Sequence, residues 1–132
     1  MPLKITLVTP PDIFQNDNPS ILLMNLNEQE QNSTTQWLAK LDADIHLNLY
    51  FYQNEPNAIW FLHSLATSSH KYIDIDNTNG MSEMLLGYLL SKPATYYKTE
   101  NKNKSSVFCH INQNRVDSVT DFLERVFCER SK

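Results

Sequence analysis

Short apolar runs separated by helical segments restrict the fold of this chain more than any other feature. Residues 3–8 alternate Ile5 and Leu7 with Lys4 and Thr6 and stop at Pro10-Pro11, the pattern of a short strand. Residues 12–20, rich in Asn, Asp and Pro, read as a loop. Residues 21–26 are almost continuously apolar, as in a strand covered on both faces. A helix is expected over 28–41 with Trp37, Leu38 and Leu41 inward. The strand at 45–52 points Ile45, Leu47, Leu49 and Phe51 one way, and His46, Asn48, Tyr50 and Tyr52 the other. A second helix over 54–68 has Pro56 in its first turn. A strand at 72–76 and a helix at 81–91, ended by Lys92-Pro93, come next. Strands at 94–98 and 107–111 follow, and the terminal helix at 115–128 turns Val116, Val119, Leu123, Val126 and Phe127 inward. Strands and helices alternating at this spacing predict right-handed crossovers and a three-layer α/β domain, its mainly parallel sheet covered on both faces.

At 132 residues the chain fits one domain, with 129–132 expected as a frayed tail. Hydrophobic residues at 41% and charged residues at 20% place it among globular chains. A net charge of −4 argues against general nucleic-acid binding, which wants a basic face. The longest apolar run, Met84 to Leu90, is interrupted by Gly87 and is far short of a membrane span. Met-Pro-Leu-Lys lacks the layout of a signal peptide, and two cysteines suit reduced thiols, so a cytoplasmic location is expected. The chain has two glycines, Gly80 and Gly87. Neither a phosphate loop nor a dinucleotide fingerprint can be written with them, and no cofactor is expected.

The strand at 72–76 is the chemical anomaly. A central parallel strand is normally apolar on both faces, yet Tyr72, Asp74 and Asp76 would share one. Asp76 falls at the carboxyl end, where open α/β sheets build ligand crevices. Asp74 lies deeper and needs a partner, for which Asn48 or His46 is within reach on a neighbouring strand. One reading is a polar pocket formed by Asp74, Asp76, Asn77, Asn48 and Tyr50; the other is a structural hydrogen-bond network, with Asp76 capping the next loop. Glu83 falls in the first turn of the third helix, where the dipole favours an acid. A pKa lowered there suits a nucleophile and not a general acid.

From Ile73-Asp74-Ile75-Asp76 to Ser82-Glu83-Met84-Leu85-Leu86-Gly87-Tyr88 and Lys92-Pro93, the chain resembles the nucleoside 2-deoxyribosyltransferase-like superfamily. The resemblance implies a small flavodoxin-like (Rossmann-like) domain and a Glu nucleophile that attacks the anomeric carbon of a nucleoside. The family places that Glu two positions before the Gly, where this chain has Leu85. Glu83 stands four before Gly87, on another side of the helix. The resemblance therefore supports the fold and argues against a working transfer site.

The remaining motifs are poor in chemistry. His46, His63, His70 and His110 have no metal-ligand spacing, and Cys109 and Cys128 read as small buried hydrophobes. Ser64, Ser68 and Ser69 lie near histidines without a nucleophile elbow. The basic stretch 98–104 reads as a solvated loop that offers a contact to a phosphate or an acidic partner. The third helix is apolar nearly all round, so Met81, Met84, Leu85, Tyr88 and Leu89 form a candidate interface. The leading expectation is a non-catalytic interaction module that binds a protein partner or a second copy. Its Asn- and Lys-rich, glycine-poor composition fits a viral accessory protein acting in the host cytoplasm. The alternative is a nucleoside- or nucleotide-binding protein, or an N-glycosidic-bond enzyme with Glu83 as nucleophile, Asp76 as orienting group or acid, and Tyr50 or Tyr52 stacking the base.

Overall fold

A computed structural model of the chain describes residues 4–9, 18–41, 46–52, 57–77, 83–99 and 113–130. Five strands, β1 (Lys4–Val8), β2 (Ser20–Met24), β3 (His46–Tyr52), β4 (His70–Asp74) and β5 (Thr95–Lys98), form one parallel sheet in the order β1-β3-β2-β4-β5. Four helices accompany them among the described residues: α1 (Glu28–Lys40), α2 (Ala58–Thr67), α3 (Glu83–Leu90) and α4 (Val119–Arg130). This is the expected three-layer α/β architecture, of the flavodoxin-like or Rossmann-like kind.

The strand order dictates where the helices go. From central β2 the chain moves through α1 to β3 on one side, then through α2 to β4 on the other. Right-handed crossovers running in opposite directions lie on opposite faces. Accordingly, Leu38 of α1 packs with Val119, Phe122 and Leu123 of α4 over Ile21, Leu23, Leu47 and Tyr72. On the other face Trp60 of α2 and Leu86 and Leu89 of α3 pack over Leu22, Met24, Tyr50 and Ile73. Every residue of β2 is buried, as its unbroken apolar run requires of a strand flanked and covered on all sides.

Several boundaries differ from the sequence expectation, among them the end of β2 at Met24 and the start of β4 at His70, and three have a clear local reason. β4 ends at Asp74 because its Oδ1 accepts the Asp76 N–H at 3.1 Å, turning residues Ile75–Asn77 into a 3₁₀ turn. The strand alternation therefore stops before Asp76. α2 starts at Ala58 because Asn57 caps it, its Oδ1 accepting the Trp60 N–H at 3.0 Å. α4 starts at Val119, since Arg115 is held in a parallel bridge to Tyr97, with the Val116 N–H donating to the Tyr97 carbonyl at 2.8 Å. The strand expected at 107–111 and the loop at 12–17 lie outside the described residues.

Candidate functional site

The two ends of the crossover system meet at the carboxyl end of the sheet, between β2 and β4. There α1 begins with Asn27 as its cap: Asn27 Oδ1 accepts the Glu30 N–H at 2.8 Å, and Glu30 Oε1 accepts the Asn27 N–H at 3.3 Å. The other Glu30 oxygen, Oε2, accepts the Tyr72 hydroxyl at 2.8 Å. The start of α4 uses similar chemistry, with Ser118 Oγ accepting the Asp121 N–H and Asp121 Oδ2 accepting the Asp117 N–H, each at 3.1 Å. A cleft of about 280 Å³ separates the two helix starts, lined by Asn27, Glu30, Ser33, Lys98, Asp117 and Ser118 among others.

Asp74 is the hub of this edge. It is 3% exposed and lies 3.9 Å from the Lys98 ammonium at the end of β5. Burial pushes its carboxyl up to about 7; a hydrogen bond with the Glu30 carboxyl and the Glu30 charge act the same way, against Lys98. Tyr72 is raised too, first by burial and then by Glu30. Asp76 is exposed, and its Oδ1 accepts the Thr99 hydroxyl at 2.8 Å. The Thr99 carbonyl in turn accepts from Arg115 Nη2 at 2.8 Å. The resulting network links α1, β4, β5 and the approach to α4.

The predicted pocket residues do not all converge here. Asp74 and Asp76 do, and Asn77 follows them in the chain, its side chain outside the described residues. Asn48 and Tyr50 lie on the opposite face of the sheet. Asn48 Nδ2 donates to Ser20 Oγ at 3.5 Å, level with the amino end of β2. Tyr50 is buried in the α2–α3 core, its ring centroid 5.9 Å from that of Trp60. His46 pairs with Thr6 at 2.6 Å, so the partners of Asp74 are Glu30, Lys98 and the Asp76 backbone instead of Asn48 or His46. Glu83 opens α3, but its side chain lies outside the described residues, as does Met81. Sequence reasoning missed Glu30, Thr99 and Arg115 as site residues, and gave Lys98, the last residue of the expected strand at 94–98, a part only in the basic stretch that begins there. Only Glu30 had a local signal, the Asn-x-x-Glu capping pattern at Asn27.

The second feature is the outer side of α2 and α3. Ile59, Leu62 and Ala66 follow one another at three- and four-residue steps along the exposed side of α2, with Ile59 71% and Leu62 61% exposed. On α3, Met84 and Tyr88 are one turn apart, 87% and 50% exposed. Lys92 Nζ sits 4.4 Å from the centroid of the Tyr88 ring. Of the other candidate interface residues, Leu85 is partly buried against the core and Leu89 is fully buried in it. Among the described residues no group of acids, histidines and cysteines could hold a metal ion, and no helix is long and apolar enough to cross a membrane. No family model matches the chain, and neither a curated protein nor a solved structure matches it.

Proposed function

We propose that the chain is a protein-interaction module whose working surface is the outer side of α2 and α3, and that a second copy of the chain is its first occupant. The supporting observation is the apolar row Ile59, Leu62 and Ala66 on a helix that contains no charged residue. A helix covering a sheet needs only an inward stripe, and α2 already has one in Trp60 and Ser64. The outward row is surplus to the core. Steps of three and four are those of a helix-pairing seam. In a chain of net charge −4, an uncharged helix is also where two copies approach with least repulsion. Met84 and Tyr88 extend the surface toward the area of about 1,200 Å² that specific interfaces bury.

The proposal includes the cytoplasm as the place of action, that of a host for a viral accessory protein; its support is compositional. A nucleoside-binding or N-glycosidic role would rest on Asp74 and Asp76. It is the weaker reading because Tyr50 is enclosed by the α2–α3 core and is not available to stack a base.

Sedimentation velocity over rising protein concentration tests the association. The wild-type chain is expected to dimerise by about 0.1 mM. Leu62→Glu should remain monomeric with a thermal midpoint close to wild type, because exposed substitutions usually move stability by no more than about 0.5 kcal/mol. A wild-type chain that stays monomeric throughout that range overturns self-association, as does a Leu62→Glu chain that still dimerises.

A further inference from the structure

We propose that the cleft between the starts of α1 and α4 is a binding site for a small uncharged polyol of the monosaccharide class. This does not depend on the interaction surface, which lies on the other face of the sheet.

Topology puts the cleft where a parallel sheet opens. The chain leaves β2 through α1 toward β3 and leaves β4 through α3 toward β5, so the two connections part at the carboxyl ends of adjacent strands. Open α/β sheets bind their ligands in the crevice that such a divergence leaves. Here α1 forms one wall, the approach to α4 forms the other, and Lys98, the last residue of β5, contributes to the lining. The volume of about 280 Å³ falls just below the roughly 300–1,000 Å³ of common ligand pockets, so the occupant is compact.

The lining selects the class of that occupant. Val119 is the one apolar residue in it and no aromatic ring lines it, so a nucleobase has nothing to stack on. An anion meets the carboxylates of Glu30 and Asp117, and a cation meets Lys98 and the positive ends of two helices. Neutral groups make up the remainder: the amides of Asn27 and Gln29 and the hydroxyls of Ser33, Ser118 and Thr120. Their valences are those a polyol matches, since amides offer donors and acceptors side by side and a carboxylate accepts from more than one hydroxyl. Asn27 spends its oxygen on the Glu30 N–H, which leaves its NH₂ as a donor. The Ser118 and Thr120 hydroxyls share one hydrogen bond at 2.8 Å, which leaves one of their two protons to donate. Glu30, 7% exposed, is held in place before any ligand arrives, by the cap on one oxygen and the Tyr72 hydroxyl on the other. A wall fixed in advance reduces the ordering that binding requires.

Titration of ¹⁵N-labelled protein, followed through its amide chemical shifts, tests the site. The probes are D-glucose, D-galactose, D-ribose and myo-inositol, with glycine and inorganic phosphate as charged controls. At least one polyol is expected to give saturable shifts at Gln29, Ser33 and Ser118, with a dissociation constant on the order of 1 mM. Ser33→Phe fills the cleft from the α1 wall and should weaken that binding about tenfold or more. Gln29→Ala, at an exposed position, should weaken it about three- to tenfold. Glu124→Gln, exposed further along α4, should bind as the wild type does. No saturable shift with any of the four polyols up to about 50 mM overturns the site. Shifts centred elsewhere, or unchanged in both Ser33→Phe and Gln29→Ala, overturn its location. Saturation by glycine or phosphate alone overturns the class of ligand.

Discussion

α1 and α2 face the same sheet from opposite sides, yet they cover it with opposite chemistry. The buried residues of α1 are Glu30, Thr34 and Leu38, and Thr34 Oγ1 donates to the Glu30 carbonyl at 2.8 Å. The buried residues of α2 are Trp60 and Ser64, and its outward side is apolar as well. Beside α1, described polar groups meet one another: Asn27 with Glu30, and Glu30 with Tyr72. On the α2 side, apolar surface exceeds what the sheet can take. A helix whose buried positions include bonded polar groups, as α1 does, has little left to offer another chain, whereas one with a surplus outward apolar row, as α2 has, is incompletely buried.

The comparison is broken most severely through the core. Trp60→Ala on one face and Phe122→Ala on the other should each cost about 3–5 kcal/mol in urea unfolding, because both side chains are fully buried. If Trp60→Ala costs much less, the α2–α3 face is not a packed core, and its surface reading fails with it. The caps sharpen the contrast at smaller scale. Asn27→Ala should cost about 1–2 kcal/mol and Asn57→Ala about 1, since only Asn27 is answered by an acid that reaches back. Equal losses in denaturant melts would mean that Glu30 adds nothing to the start of α1. The smallest effect is expected at Ala94, whose φ of 58° belongs to the left-handed region. Ala94→Gly should raise stability by about 0.5 kcal/mol, read as a small upward shift of the thermal midpoint.

The architecture was readable because hydrophobic period and turn residues are local properties. The all-apolar run at β2 declared a central strand, and Val116, Val119, Leu123, Val126 and Phe127 are all buried as their spacing required. Phe122, also fully buried, was missed because α4 meets both the sheet and α1 and so buries a wider stripe. The site was less legible. The alternation of Tyr72 and Asp74 was a local signal, but the side-chain bond that ends β4 takes Asp76 out of it. The pairing of Asp74 with Glu30, more than forty positions earlier, depends on which face α1 occupies, and no spacing within either segment encodes that. Asn48 and Tyr50 seemed to neighbour Asp74 by residue type, whereas strand order and parity put them on the other face.

The chain has two tryptophans, and the fold has assigned one to each side of the sheet. Trp60 is fully buried and its indole N–H has no hydrogen-bond partner among the described residues, so its emission should be strongly blue-shifted. Trp37, half-buried beside Phe127 with ring centroids 5.5 Å apart, should emit at longer wavelength. Replacing either one by phenylalanine leaves an intrinsic optical reporter for a single face. Events at the α2–α3 surface and at the start of α1 can thereby be followed separately, without a label, in the same molecule.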